Sequence, residues 1–533
     1  MALMERPIVT DTETGGRYWE HQYDSFYLKA YIPKSEIDGQ VNNYGFIAPL
    51  LLVFEEEKMD KDGAVKFAED TGLAKIAADY DSSVLFIYPT CEGGWDKADE
   101  GIYADLSKEI KNHFMYEDGL APFTEFFTWE FKGFFIRGAI FRADIYSYGK
   151  SADFVATKML KKIEGEYLWG PGEITPACCS MERLSVMPVI ERKDIPVISV
   201  GNSPEINEAF KECDNHLIED TADYVQDYYS FVRCYKMWCG NIEMEPDFED
   251  LGIVEEPGNV VVKTSPDHIG KFKDEPEHTV GYFAYYNKGL FDNGPVPLML
   301  GFHGGGDSAM YFTYTTGWWQ IAHEENFLFV AIDNHQDVCA EEVMQVLEEL
   351  KKDYDIDESR IYATGFSMGC GKTWDLYHQY PDTFAGLCPA SALFPIKENP
   401  FGMSLGDPRL NMTTPVPFFY SGGEDSHLVE LPCQADTGLD RIKYLAKVNN
   451  LAADFEAIEY ADKANWKDPV YGAEPDEIER LENAPRDSVL TVRYYKNKDG
   501  VITTALSSVS NQVHECRPHT CRAAWNFIKQ FRK

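Results

Sequence analysis

Along this chain, short apolar runs alternate with longer stretches whose apolar residues recur three and four positions apart. PLMLGF (297–302), NFLFVAID (326–333), RIYATGF (360–366) and VPFFYSG (416–422) are rich in aromatic and β-branched residues. Each reads as a strand buried on both faces. Between them, AEEVMQVLEELKKDY (340–354) has the spacing of a helix with one apolar face. Alternating strands and helices predict a mostly parallel sheet covered on both sides. Sites in that architecture form at the carboxyl ends of the strands.

The pattern occurs twice. YLKAYIPK (27–34), PLLLVFEEE (49–57) and TGLAKIAADY (71–80) are followed by IYSYGKSAD (145–153) and IPVISVGNSPE (195–205). In the same order come YFAYYNK (282–288), PLMLGFHGGG (297–306), TGWWQIAHEEN (316–326), IYATGFSMG (361–369) and VPFFYSGGEDS (416–426). Five pairs in register argue for duplication. The acidic, Pro- and Gly-bearing stretch MEPDFEDLGIVEEPGN (244–259) marks the joint. The expected domains are 1–255 and 256–533. A chain of 533 residues is also too long for one ordinary core.

Composition adds exclusions. Asp and Glu outnumber Lys and Arg by 89 to 49, a net charge of −40. Such a surface repels nucleic acid and anionic membranes, so neither is an expected partner. No run reaches the length of a membrane span. MALMERPIVTDTETGG lacks a basic segment followed by an apolar run, so no secretion signal is expected and the location expected is cytoplasmic. The twelve cysteines contain no CxxC pair and read as reduced thiols.

The candidate chemistry lies in the second half. Gly365-Phe366-Ser367-Met368-Gly369 fits G-x-S-x-G, with a strand before it and the helical run GKTWDLYHQY after it. A sharp strand-to-helix turn raises the Ser367 hydroxyl above the sheet. Gly371-Lys372-Thr373 ends like a phosphate-binding loop, but Phe366 stands where that loop needs glycine. His303-Gly304-Gly305-Gly306 follows another strand. Such a glycine loop lets main-chain N–H groups approach a developing oxyanion. The expected donors are the N–H of Met368 and that of Gly304 or Gly305. His303 reads as a residue shaping the loop.

Residues 280–425, with LGFHGGGDSAMYFTYTTGWWQIAHEENFLFVAI and DIDESRIYATGFSMGCGKTWDLYHQYPDTFAG, resemble the polyhydroxybutyrate depolymerase, feruloyl and acetyl-xylan esterase group of α/β-hydrolases. The resemblance implies two tandem α/β-hydrolase-like domains, each a mostly parallel sheet flanked by helices. It also implies a Ser-acid-His triad in that chain order. Asp425, after the glycine pair that ends VPFFYSGG, resembles the family's acid, with Glu424 as second choice. His514 is the favoured base and His519 the second choice. His427 lies too near the acid in chain order. His514, Cys516, His519 and Cys521 could also be read as metal ligands, but their spacing matches no standard zinc pattern. No metal and no cofactor are expected.

Aligned with the second half, Gly149-Lys150-Ser151-Ala152-Asp153 falls on the nucleophile turn, so that Ser151 keeps the serine. Glu55-Glu56-Glu57 replaces His303-Gly304-Gly305, and Asn202-Ser203-Pro204 replaces Gly423-Glu424-Asp425. The first half therefore reads as a degenerate copy without chemistry. The expected function is a serine carboxylic-ester hydrolase working through an acyl-enzyme on small, aryl or acyl-sugar esters. A serine peptidase or acyltransferase with the same triad is an alternative, as is a non-catalytic binding protein of two hydrolase-like halves. The partner expected is a small ester, with room for a homo-oligomer. Tyr311, Trp318 and Trp466 are candidates for the substrate pocket, and 430–485 for a lid over it. For Trp318 and its neighbour Trp319, packing on the sheet is the stronger reading.

Overall fold

The computed structural model describes residues 8–35, 48–115, 136–167, 170–237, 242–268, 272–305, 307–333, 338–393, 396, 409–426, 428–455, 470–483 and 487–533. The chain separates into two units, Met1–Pro246 and Asp247–Lys533. The division precedes the expected boundary at 255. That boundary would cut through a strand, Ile253–Lys263, whose pairing lies wholly within the second unit.

The first unit contains β1 (Thr10–Asp11), β2 (Arg17–Gln22), β3 (Phe26–Ile32), β4 (Leu50–Phe54), β5 (Val84–Pro89) and β6 (Ala143–Tyr148). It continues with β7 (Ile163–Tyr167), β8 (Gly170–Ile174), β9 (Cys178–Glu182), β10 (Val197–Val200) and β11 (His216–Glu219). Strands β7 and β8 form a separate hairpin, and the others make one sheet in the order β1-β2-β3-β5-β4-β6-β9-β10-β11. The run from β5 to β11 is parallel throughout.

The second unit contains β12 (Ile253–Lys263), β13 (Glu277–Asn287), β14 (Val296–Phe302), β15 (Leu328–Ile332) and β16 (Ile356–Phe366). Then come β17 (Gly386–Ala390), β18 (Phe418–Gly423), β19 (Glu477–Asn483), β20 (Ser488–Lys496) and β21 (Ile502–Val509). Their order is β12-β13-β15-β14-β16-β17-β18-β21-β20-β19. From β2 to β11 the first sheet follows the order of β12 to β21 in the second, strand for strand. The duplication read from sequence is therefore a duplication of topology.

The central strands are buried because both faces are covered. β15, β17 and β18 are buried at every position, as their unbroken apolar runs require. On one face, the helices Ala340–Asp353 and Met368–Gln379 carry Val343, Leu347, Trp374 and Tyr377 into a core shared with Leu298, Val330 and Phe418. On the other, Phe527 of the helix Pro518–Ile528 packs on Phe419 at a ring separation of 6.2 Å. A smaller core in the first unit gathers Leu51, Val53, Phe86 and Ile198. Among the described residues, no helix is long and apolar enough to cross a membrane.

Candidate active site

Four strands of the second sheet, β14, β16, β18 and β21, lead into the residues that matter. β16 runs directly into Ser367, which caps the helix Met368–Gln379 with φ 54° and ψ −112°. A positive φ in a non-glycine residue costs about 1–2 kcal/mol and persists only where the surroundings enforce it. They do so here. A Cβ on Gly365 would lie 2.1 Å from the Gly369 carbonyl oxygen, and one on Gly369 would lie 2.0 Å from that of Phe302. The motif glycines thus let the helix start close against the ends of β14 and β16. The Ser367 N–H donates to the Ala390 carbonyl of β17, which ties the turn to the sheet.

His514 lies on the loop after β21. Its Nε2 is 2.8 Å from Ser367 Oγ. Its ring packs on Phe366, centroid to centroid 4.8 Å. Its Nδ1 is 2.5 Å from Oε1 of Glu430. Glu430 is fully buried, and its Oε2 accepts the Gly423 N–H at 2.6 Å. Two further contacts hold this residue and a third its neighbour. Its N–H donates to Gln434 Oε1 at 2.8 Å, its carbonyl accepts the Tyr420 hydroxyl at 2.7 Å, and the neighbouring Val429 carbonyl accepts the Leu393 N–H.

The carboxylate on His514 is therefore Glu430, and both expected acids are corrected. Asp425 is exposed, and its N–H donates to the Gln512 carbonyl. Glu424 accepts the Ser508 hydroxyl at 2.8 Å. After β18 the chain first makes the turn carrying Glu424 and Asp425, then folds back so that Glu430 lies beneath the histidine. A signal for Glu430 was present in LVELP (428–432), a lone acid within an apolar run. Such a residue is buried and needs a partner. His519 is not at the serine. It lies in the first turn of the helix Pro518–Ile528, where burial, followed by the charge of Arg517, pushes its imidazole down to about 4.

The glycine loop reaches the same point from β14. A Cβ on Gly304 would be 3.6 Å from Ser367 Cβ, so this backbone passes directly over the serine. His303 Nδ1–H donates to the Gly304 carbonyl at 2.8 Å, which turns that carbonyl and fixes the loop. Burial lowers the pKa of His303 despite the nearby Asp333. Gly305 is half-buried beside Gly304, while Gly306 lies outside the described residues.

The aromatic candidates fare differently. Trp318 is fully buried and stacks on Phe329 of β15 at 5.9 Å, so it belongs to the core and not to a substrate pocket. Trp319 packs edge-on to Phe248. Tyr311 lies in the first turn of the helix Ala309–Thr316 and is also almost wholly buried. Trp466 and His427 lie outside the described residues. The expected lid, 430–485, begins with the buried carboxylate itself and includes the helix Asp436–Val448.

The equivalent turn of the first unit can be aligned through strand register. Phe302 pairs with Ile332 and Gly365, and Phe54 pairs with Ile87 and Ser147. Ser147 therefore matches Gly365, Gly149 matches Ser367 and Ser151 matches Gly369. The backbone agrees, because Gly149 has φ 51° and ψ −116° and donates its N–H to Glu182 as Ser367 does to Ala390. The expected match of Ser151 with the nucleophile is thus wrong by two residues. Ser151 is buried, with its hydroxyl donating to the Phe54 carbonyl at 2.6 Å. The nucleophile's place holds a glycine. A Cβ there would lie 2.1 Å from Oε1 of Glu56, which takes the place of Gly304 and is paired with Arg183 at 2.9 Å. Ser203 caps a helix at Pro204–Phe210, so the excursion that brings Glu430 inward in the second unit has no counterpart there.

No family model matches the chain. A curated relative, the bifunctional acetylxylan esterase/xylanase XynS20E of Neocallimastix patriciarum, is 29% identical over 142 residues. That match covers 25% of this chain and only 20% of the relative. Among solved structures, the acetyl xylan esterase from Aspergillus awamori is 12% identical with a TM-score of 0.34, covering 51% of this chain and 99% of that one. A thermostable esterase is 18% identical with a TM-score of 0.26, covering 37% and 52%. A bacterial heroin esterase is likewise 18% identical, with a TM-score of 0.27, covering 37% and 72%. Strand order, parallel centre and the strand-turn-helix at Ser367 give the second unit a fold of the α/β-hydrolase type, and the first unit repeats its strand order.

Proposed function

We propose that the second unit is a serine carboxylic-ester hydrolase with Ser367 as nucleophile, His514 as base and Glu430 as the acid that orients it. The carrying observation is the unbroken hydrogen-bonded chain from Ser367 Oγ through His514 to the buried Glu430. His514 Nε2 takes the serine proton as Oγ attacks the ester carbonyl. The N–H of Met368 and that of Gly304 or Gly305 receive the oxyanion; one such donor is typically worth about 3–4 kcal/mol of barrier. The imidazolium then protonates the leaving alcohol. Water repeats the sequence on the acyl-enzyme. Glu430 accepts Nδ1–H and so orients the ring, which leaves Nε2 to accept the serine proton.

Small aryl or acyl-sugar esters are the proposed substrates. Support comes from the curated relative, whose name specifies acetylxylan. The first unit is proposed to be non-catalytic, because its turn carries Gly149 and a carboxylate in place of a hydroxyl and an oxyanion loop.

The test is hydrolysis of aryl acetates and feruloyl esters by wild type, Ser367→Ala and Ser151→Ala, with fluorophosphonate labelling of each. Ser367→Ala should lose both turnover and label, while Ser151→Ala keeps both. Full turnover in Ser367→Ala refutes the assignment. An unlabelled, inactive wild type would favour a binding protein. A parallel panel of amide and thioester substrates, with alcohol acceptors, separates esterase from peptidase and acyltransferase.

A further inference from the structure

Away from Ser367, the second unit holds a buried cluster that the ester chemistry does not use. His278 is in β13, His268 lies between β12 and β13, and Glu342 is in the first turn of the helix Ala340–Asp353. All three are buried, with Glu342 wholly inaccessible. One ligand atom from each lies within 4.8 Å of the other two. His268 Nδ1 is 3.0 Å from Glu342 Oε2, and His278 Nε2 is 3.7 Å from the same oxygen.

We propose that His268, His278 and Glu342 bind a divalent transition-metal ion of the zinc class. The spacing suits one. Donors 3.0 and 3.7 Å apart can both sit about 2.1 Å from a common ion, at angles of about 90° and 125°. His268 Nδ1 is also within hydrogen-bond reach of both Glu342 oxygens, at 3.1 and 3.0 Å, so a proton on that nitrogen and a bound ion are alternatives at this place. His278 Nδ1 is 3.0 Å from Thr264 Oγ1. When that ring nitrogen carries the proton, Nε2 presents its lone pair on the side of Glu342, the form in which an imidazole binds a metal ion. An outer hydrogen bond of this kind is what usually fixes a metal-bound histidine. Phe272 stacks flat on the His278 ring at 4.8 Å and closes one side.

Glu342 accepts the N–H groups of Cys339 and Ser265, each at 2.8 Å, which hold its carboxylate in place. Among the described residues its ion-pair contacts are the two imidazoles, with no lysine or arginine. Two imidazoles and one carboxylate suit zinc, cobalt or nickel better than magnesium or calcium. The ion would clamp the β12–β13 connection to the start of the helix Ala340–Asp353.

The experiment uses the full chain, stripped with a chelator, dialysed and titrated with zinc chloride and then cobalt chloride. One tight equivalent of zinc per chain is expected, with a rise in thermal midpoint and visible Co²⁺ bands of a low-coordinate nitrogen-oxygen site. His268→Ala and His278→Ala should lose that equivalent. Thr264→Val, which leaves every ligand in place, should bind zinc about tenfold more weakly. Glu342 is left unaltered because it also caps its helix. Wild type that takes up no zinc overturns the proposal, as does an equivalent that survives in His268→Ala and His278→Ala. Unchanged affinity in Thr264→Val overturns it too, since the ring it orients would then not be a ligand.

Discussion

Glu430→Gln is the sharpest perturbation available, because the two oxygens of this carboxylate face different partners. Oε1 faces His514 Nδ1 at 2.5 Å and Oε2 faces the Gly423 N–H at 2.6 Å. A glutamine retaining its bond from Gly423 must place its carbonyl there and its NH₂ toward Nδ1. Nδ1 then has to accept, so the ring proton moves to Nε2. At 2.8 Å from Ser367 Oγ, Nε2 becomes a donor and can no longer remove the serine proton. The fold is little changed, since size and hydrogen bonds are kept. Wrong-tautomer triads lose about 10⁴ in kcat, which is about 5 kcal/mol of barrier. For Glu430→Gln we expect kcat to fall by about 10³–10⁴ with KM nearly constant, measured with an aryl acetate under saturating conditions. Asp425→Asn, at the exposed turn, should stay within about twofold. Loss of activity in Asp425→Asn with normal turnover in Glu430→Gln would refute both the tautomer argument and the choice of acid.

Gly369→Ala sets a methyl 2.0 Å from the Phe302 carbonyl and must displace either the helix or the strand. It should cost about 2–4 kcal/mol in urea midpoint and abolish fluorophosphonate labelling. Lys29 and Glu55 form a buried ion pair at 2.7 Å in the first unit. Glu55→Ala leaves an unpaired ammonium and should destabilise that unit by about 3–5 kcal/mol, whereas Lys29→Met/Glu55→Met should recover most of the loss in denaturant titrations. Burial, followed by a hydrogen bond that protonated Asp227 donates to Glu219 and the negative charge of Glu219, pushes Asp227 up to about 7 from the usual 3.8. Between those values the folded state keeps a proton that the unfolded chain has released. Stability of the first unit therefore falls as pH rises through this window, by at most about 1.4 kcal/mol per pH unit, and levels off above it. Urea midpoints of Asp227→Asn should lack that slope.

Local patterns carried much of the architecture. PLMLGF, RIYATGF and VPFFYSG are strands because unbroken apolar runs have no solvent face to offer, and their order repeats because both copies bury the same sheet. Ser367, His514 and Gly304 were legible since each is bound to a local geometry: a tight turn, a loop after the last parallel strand, a close backbone approach. Glu430 was not, because its position depends on where a loop folds back and not on a neighbouring motif. The match of Ser151 to the nucleophile failed for a related reason. Serine in both G-x-S strings drew the alignment, while register, which needs three-dimensional pairing, placed Gly149 there. The pocket reading of Trp318 failed because proximity in sequence to the glycine loop says nothing of which face of its helix meets the sheet.

The Glu56 carboxylate stands where the second unit has Gly304 and lies against Gly149. A serine introduced at 149 would meet its Oε1, so a hydroxyl fits there only if this half-exposed side chain swings aside from Arg183. The turn of the N-terminal copy thus keeps its backbone shape while a carboxylate, an opponent of any developing oxyanion, occupies the ground beside it.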